Sequence, residues 1–128
     1  MNKEEKELLL KDLCARLPYG TRIHISHPSD NAELDDWLTT GTIDNFSFFG
    51  SVKPYLRPMS SMTMEECITL SKLKPCDIDV WKYIKTPVPL YVANIEQFDF
   101  FLRHHLDWRG LIQMGLALEA PKGMYKEN

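Results

Sequence analysis

The sequence has few cysteines, and they form no recognisable motif. Cys14, Cys67 and Cys76 are an odd number, and none belongs to a Cys-x-x-Cys pair. A disulfide framework needs paired cysteines, and a structural zinc site needs closely spaced ligands. We therefore predict neither, expect reduced thiols and expect no cofactor. Cys14 is interpreted as a small buried hydrophobic residue of the first helix.

Long apolar runs are also absent. No stretch approaches the roughly 18 apolar residues that cross a bilayer, and the opening segment MNKEEKELLLKD has neither an apolar signal core nor a cleavage site. We expect a cytoplasmic chain with no membrane partner. Hydrophobic residues make up 44% of the 128 residues and charged residues 26%, which is typical of one globular domain over residues 1–128.

Basic charge is not concentrated anywhere in the chain. The net charge is -3, and residues 51–90 carry six Lys or Arg against four Asp or Glu, whereas both flanking segments are acidic. Nucleic-acid-binding proteins usually gather Lys and Arg on one face to neutralise phosphates. The charge distribution therefore argues against nucleic acid as the main partner.

Helix starts are the clearest structural signals. A capping box pairs a short polar side chain with a Glu or Gln three residues later, and each side chain bonds the other residue's backbone N–H. The spacing occurs at Asn2 with Glu5, at Thr63 with Glu66 and at Asn94 with Gln97. The first helix should bury Leu9 and Leu13, leave Arg16 on its polar face, and end at Pro18 and Gly20.

The densest apolar periodicity lies in residues 94–118. The capping box at Asn94 predicts that a helix begins this segment. At about 100° per residue, one arc of that helix should face the core, and Phe100 falls outside that arc. The arc contains Ile95, Phe98, Phe101, Leu102, His105 and Leu106. Asp107 is then predicted to cap a second short helix over residues 108–114, with Gly115 as its left-handed terminator.

Strand signals are shorter and less certain. Residues 21–27 alternate, with Ile23 and Ile25 on one side, and residues 116–119 should form a closing strand. Residues 33–40 are compatible with either a helix or a strand, and we favour strands on both sides of Gly41. Residues 52–63 contain two prolines and should form an edge strand or a surface connection, and residues 88–92 at most an edge strand.

These elements predict the α+β class. We expect a small antiparallel sheet, either open or barrel-like, flanked by an N-terminal helix and a C-terminal helix pair.

Three blocks of the sequence resemble a family of small proteins from gut anaerobic bacteria and their phages and mobile elements. The blocks are KPYLRPMSSMT (53–63), DWRGLI (107–112) and GLALEAPKGMY (115–125), together with the opening-helix end LCARLPYG. Trp108 stands where those proteins more often have Tyr. The resemblance implies a shared α+β domain with an accessory role in phage or mobile-element biology. No activity is assigned to the family, so the resemblance implies no catalytic residue.

The candidate binding residues are aromatic and arginine side chains. Tyr55 and Arg57 lie between prolines, Trp108 and Arg109 follow Asp107, and Phe100 is an apolar residue on a polar arc. Trp, Tyr and Arg dominate the energetics of protein interfaces.

A structural interpretation of residues 107–110 competes with this binding role. In it Asp107 caps a helix, Trp108 covers a helix junction, Arg109 pairs with a carboxylate, and Gly110 allows close packing.

Catalytic and metal-binding patterns are not found. The sequence has no Gly-x-Ser-x-Gly elbow and no glycine-rich phosphate loop. His24 and His27 should point to opposite faces of a strand, and the adjacent His104 and His105 diverge on a helix, so neither pair suits a metal ion. His105 is interpreted as a hydrogen-bonded core histidine.

Three hypotheses of function remain. The first, which we prefer, is a non-catalytic module that binds an unidentified protein partner. The alternatives are a weak nucleic-acid-associated accessory protein and a metal-dependent enzyme.

Overall fold

The computed structural model describes residues 2–27, 32–49, 51–74 and 80–125. Its regular elements belong to the predicted α+β class. In chain order they are α1 (Lys3–Arg16), β1 (Arg22–Ser26), β2 (Glu33–Trp37), α2 (Thr40–Asp44), β3 (Ser51–Leu56), α3 (Met64–Leu73), α4 (Val80–Tyr83), α5 (Ile95–Arg103) and β4 (Leu118–Glu119). Short 3-10 turns cover Leu17–Tyr19, Phe46–Phe48 and Met59–Ser61. Among the described residues, no helix is long and apolar enough to cross a membrane.

All three predicted capping boxes are confirmed. Each cap residue accepts the backbone N–H of the residue three positions later, and that residue's side chain bonds back to the cap's own N–H. A fourth box at Thr39 and Thr42 starts α2, so the strand expected after Gly41 is wrong. The aromatic segment Phe46–Phe48, on the side of Gly41 where we expected a second strand, forms a 3-10 turn. Before Gly41, β2 confirms the strand interpretation.

The sheet is mixed rather than wholly antiparallel. Its order is β2-β1-β3-β4, in which β1 pairs antiparallel with β2 and β3, and β4 lies parallel to β3. In the described part of the chain β2 does not pair with β4, so the sheet is open and the barrel-like alternative is wrong.

β3 lies inside this sheet, although its prolines predicted an edge strand or a surface connection. Pro54 pairs with Ile23 of β1. Leu38 N donates to Thr21 O. Along an antiparallel strand every second residue directs its backbone N–H and C=O groups to the same neighbouring strand, so those of Ile23 also point toward β2. Pro54 is opposite Ile23, so its nitrogen points away from β1 and toward the side of β4. Pairing with β4 begins only at Tyr55, so no strand needs a hydrogen bond from residue 54. No ladder hydrogen bond is lost, and the proline is tolerated.

Buried apolar side chains form two clusters where the composition suggested one core. The first lies between α1 and the sheet, and the second lies among α3, α5 and the segment from Trp81 to Ala93. Buried polar side chains connect the two clusters; they include Asp12, Arg16, Arg57, Glu66, His105 and Asp107. We call these side chains the buried polar layer. Within it, Arg16 of α1 donates to the carbonyl oxygen of Leu106 in the second cluster.

Two helices bury different faces from those predicted. In α5, Phe100 is buried and Ile95 is 87% exposed, because Gln97 turns inward and donates through Nε2 to Leu70 O at 3.0 Å. In α1, Arg16 is fully buried and Cys14 is exposed. In each helix one polar side chain, Gln97 or Arg16, makes a buried hydrogen bond. The buried face of the helix therefore includes that side chain and differs from the face expected from apolar residues alone.

The second member of the predicted C-terminal helix pair is not a regular helix. Residues 108–115 form consecutive turns. The Asp107 carboxylate accepts the backbone N–H groups of Leu111 at 2.8 Å and Ile112 at 2.9 Å, one or two residues further along than a helix N-cap would reach. Gly115 is left-handed, as predicted, with φ +77°.

The strand expected over residues 88–92 is also absent: Val88 N donates to Trp108 O, and residues 90–92 form a turn. The residues Pro-Ser-Asp-Asn at 28–31 predict a turn and Asp77 predicts a helix cap, but these residues, like Cys76, lie outside the described part of the chain.

Candidate functional site

The structure separates the five candidate binding residues. Arg57, Phe100 and Trp108 are buried, and the Arg109 side chain is 13% exposed. Tyr55 is half-buried on the sheet, on the face opposite α1. Four of the candidates therefore belong to the interior or its margin, and Tyr55 alone among them belongs to an accessible face of the sheet.

Arg57 is a structural residue of the buried polar layer. Its Nη1 and Nη2 atoms donate to the two carboxylate oxygens of Glu66 at 2.8 and 2.7 Å, which is the bidentate geometry that suits arginine. Glu66 also accepts Thr63 N in the capping box of α3. Burial alone would raise the pKa of Glu66, but these hydrogen bonds outweigh it and lower that pKa.

Asp12 is a second centre of the same layer, and sequence analysis missed it. The Asp12 carboxylate accepts Arg16 Nε at 2.7 Å and Arg109 Nε at 2.9 Å. Arg16 also donates to Leu106 O at 2.9 Å. The (i, i+4) spacing of Asp12 and Arg16 beside Leu9 and Leu13 was the available signal.

The structural interpretation of residues 107–110 is confirmed for Arg109 and Gly110, whereas the helix that Asp107 was expected to cap is absent. Asp107 accepts backbone N–H groups, and Arg109 pairs with the Asp12 carboxylate. Gly110 has φ +78°, and a Cβ there would come within 2.9 Å of Thr86 Oγ1. Trp108 packs its ring 4.7 Å from that of Phe98 in the second cluster.

His105 is a core histidine, as predicted. Its ring stacks on Tyr125 with centroids 3.7 Å apart, and Nδ1 lies 3.3 Å from Thr21 Oγ1. Burial, followed by the nearby charges of Arg16, His104 and Arg57, lowers the pKa of His105 to about 4. The folded protein therefore keeps this imidazole neutral at pH 5 to 6.

This burial predicts a pH-dependent stability. Between about pH 6.5 and 4 the unfolded chain binds a proton at His105 that the folded chain does not bind, so the free energy of unfolding falls as the pH is lowered through that window. The full effect is about 3 kcal/mol. Urea unfolding between pH 6.5 and 5 measures it above the ordinary range of carboxylates; burial raises the pKa of Asp107, and the comparison with a His105 variant that keeps Asp107 separates the two groups.

The matched variant is His105→Gln. Its free energy of unfolding should change less than that of the wild type between pH 6.5 and 5. His24, whose pKa is raised by its hydrogen bond to Asp35, acts mainly above pH 6.5 and leaves this window unchanged. Equal slopes for the wild type and His105→Gln would contradict the prediction.

The sheet face opposite α1 carries charged and aromatic side chains. Ile23 and Ile25 of β1 face α1, so Arg22 and His24 face the other way, and the strand register adds side chains from β2 and β3. We call this surface the open face; it consists of Arg22, His24, Glu33, Asp35, Trp37, Lys53 and Tyr55. All seven are partly or fully exposed.

Asp35 is the centre of the open face. Its Oδ1 accepts Tyr55 Oη at 2.8 Å and lies 2.8 Å from His24 Nδ1, while His24 Nε2 lies 3.4 Å from Glu33 Oε1. The hydrogen bond to His24, and then that from Tyr55, lower the pKa of Asp35. Both ring nitrogens of His24 face carboxylates, and the hydrogen bond to Asp35 raises the pKa of His24, which favours the imidazole as a cationic donor. That arrangement suits binding rather than general-base catalysis.

β2 forms a free edge beside this face. All five of its residues are exposed, and in the described part of the chain β1 is its one neighbour. His27 N donates to Ala32 O and Leu38 N to Thr21 O, so the backbone groups of Glu33, Asp35 and Trp37 point away from the sheet. Asp36 Oδ1 accepts Trp37 N at 2.7 Å. The outward N–H groups of Glu33 and Asp35 thus face the free side of the strand.

Comparison with protein-family models, curated proteins and solved structures gives no match. Function is therefore inferred from the geometry of this chain. Among the described residues, no group of three or more His, Cys, Asp or Glu side chains could hold a metal ion.

Most of the open face was not predicted from the sequence. Trp37 lies on the segment for which we favoured a strand but named no binding residue, and the guanidinium carbon of Arg22 lies 4.4 Å from its ring centroid. The carboxylates of Glu33 and Asp35 look in sequence like an ordinary polar segment. The alternation of Glu33, Asp35 and Trp37 on one side of a strand was the signal that could have revealed the surface.

Proposed function

We propose that this protein is a non-catalytic protein-interaction module that binds an extended polypeptide segment along β2. The observation that carries the proposal is the free, fully exposed edge of β2 beside the aromatic and charged open face. An incoming strand can bond the outward backbone groups of Glu33 and Asp35, and its side chains can lie against the open face. Backbone pairing supplies affinity in this mode, and alternate side chains supply specificity.

Charge selects the partner. β2 carries the carboxylates of Glu33, Asp35 and Asp36 at its free edge, so a segment with Lys or Arg at alternate positions is complementary. Two β2 edges from copies of this chain would place like charges opposite one another, which disfavours self-association. The same carboxylates would repel nucleic-acid phosphates, so a protein partner is favoured over the nucleic-acid alternative.

Exposed aromatic rings supply the apolar part of the surface. Trp37 is 53% exposed, and Tyr55 is held upright by its hydrogen bond to Asp35. These rings can cover the aliphatic stems of lysine or arginine side chains, and aromatic residues of this kind contribute strongly to binding energy. Such a small binding module fits the accessory role that the family resemblance implies.

The test uses a synthetic extended peptide of alternating valine and lysine, and a second peptide with glutamate in place of lysine. We expect the basic peptide to shift the amide resonances of residues 33–37 in a two-dimensional NMR titration. The variant Glu33→Pro removes one outward N–H without touching the ladder to β1, and Glu33→Gln, which loses the same carboxylate but keeps the N–H, is its reference. Relative to Glu33→Gln, Glu33→Pro should weaken binding about three- to tenfold, the value of one hydrogen bond.

The control variant is Glu119→Gln, which changes one carboxylate on β4 away from this edge. It should leave the affinity unchanged, and both variants should retain the thermal unfolding midpoint to within about 2 °C. Equal binding of the basic and acidic peptides, or unchanged binding by Glu33→Pro, would refute the proposal. Retention of the protein on duplex DNA at low salt would instead favour the nucleic-acid alternative.

A further inference from the structure

A second surface lies on the other side of the molecule, between α3 and α5. Its side chains line a groove of about 720 Å³ that opens to solvent. The two helices are antiparallel: Asn94 Nδ2 donates to Leu73 O at one end, and at the other Arg57 joins Glu66 to His104 O. The groove therefore has two distinct ends, separated by the length of α3.

The floor of the groove is partly apolar. Leu73 and Phe100 line it, and Ile95 stands at its rim with 87% of its surface exposed. Ile95 opens α5 at a position where a polar residue would serve the helix equally well. With Leu73, Ile95 gives the groove an apolar strip that the apolar side chains of a ligand can contact.

Two carboxylates at the groove have no partner. Glu66 is engaged by Arg57, and Asp99 accepts hydrogen bonds from Tyr19 and Arg103. Among the described residues, neither Glu65 nor Glu96 has a side-chain hydrogen bond or ion pair. Each stands in the first turn of its helix, where the helix dipole favours a negative charge.

The distance between these two carboxylates indicates how far apart two cations of a ligand should be. Because α3 and α5 are antiparallel, Glu65 and Glu96 lie at opposite ends of the groove. Glu65 is eight residues before Leu73, whose carbonyl contacts the residue that caps α5, so the two ends are about 12 Å apart at 1.5 Å per residue. Two cations seven or eight residues apart on a helix are separated by the same length and share one face.

We propose that the groove between α3 and α5 binds an amphipathic helix that carries Lys or Arg seven or eight residues apart, with apolar side chains between them. The cations pair with Glu65 and Glu96, and the apolar side chains contact Ile95 and Leu73. A third helix packed on α3 and α5 would lie about 8–10 Å from each axis. This site is separate from the β2 edge and does not depend on the proposed function.

The test uses a helical peptide of about fifteen residues with two lysines seven apart and two leucines between them. A control peptide of the same composition has the lysines four apart. We expect the first peptide to bind at least about tenfold more tightly, measured by fluorescence anisotropy at low salt. The double variant Glu65→Gln, Glu96→Gln and the single variant Ile95→Ser should each lose about tenfold in affinity.

These side chains are exposed, so Ile95→Ser should keep the wild-type thermal unfolding midpoint to within about 2 °C, and the double variant should lower it by only a few degrees through the lost helix-dipole interactions. The matched control is Glu4→Gln, which changes a carboxylate in the first turn of α1 and should bind as the wild type does. Equal affinity for the two peptides, no saturable binding, or unchanged affinity of the double variant would overturn the proposal. Loss of binding in Glu33→Pro would place the peptide at β2 instead, which would also overturn it.

Discussion

Replacing Asp12 by alanine is expected to lower the free energy of unfolding by about 3–5 kcal/mol. Asp12 is fully buried and is the carboxylate partner of both Arg16 and Arg109. Its removal leaves the fully buried guanidinium of Arg16 without a counter-charge. A buried unpaired charge is among the most destabilising changes in a protein interior. Urea unfolding of Asp12→Ala at neutral pH measures the effect.

Two comparisons identify charge as the cause. Lys11→Ala changes an exposed neighbour on α1 and should alter stability by less than about 0.5 kcal/mol. The pair Asp12→Leu with Arg16→Met removes the charge and one of its partners together, and should recover part of the loss because apolar replacements of buried ion pairs are often tolerated. A loss below about 1 kcal/mol in Asp12→Ala would show that the buried polar layer does not hold the two clusters together.

Trp108→Ala is the second large effect, with an expected loss of about 3–5 kcal/mol. The indole is 7% exposed and packs against Phe98, and the guanidinium carbon of Arg109 lies 4.2 Å from its ring centroid. Truncation would leave a cavity in the second cluster that its neighbours can fill only partly. The sequence allowed either a binding anchor or a cover over a junction, and the burial of Trp108 favours the cover.

Trp37→Ala is the matched control, because it removes the same side chain from a site that is 53% exposed. It should cost less than about 1 kcal/mol of stability and should weaken binding of the basic extended peptide. Trp108→Ala should weaken that binding only as far as it unfolds the protein. If Trp108→Ala retained full stability, the second cluster would not depend on this ring.

The prediction from sequence succeeded where the structure depends on neighbours three or four residues apart. The capping boxes at Asn2, Thr63 and Asn94 required only a short side chain and its third neighbour, so the starts of α1, α3 and α5 were predicted correctly. The left-handed turns at Gly20 and Gly115 are equally local. The candidate site was harder to predict. Tyr55 was selected for its residue type, but the contribution of β2 was missed because a fully exposed strand lacks the alternation of apolar and polar residues that marks a half-buried one.

The α+β class, the helix starts and the inward alternation of β1 can be predicted from the residues alone, because these follow from local backbone bonding and from side-chain periodicity. In contrast, the burial of polar residues, the place of β3 in the sheet and the surfaces that remain open depend on contacts between distant parts of the chain. Arg16 is buried because Asp12 and a carbonyl 90 residues away accept its hydrogen bonds. Such distant partners leave no periodic signal, since the free energy that buries a charge comes from atoms that meet only in the folded chain.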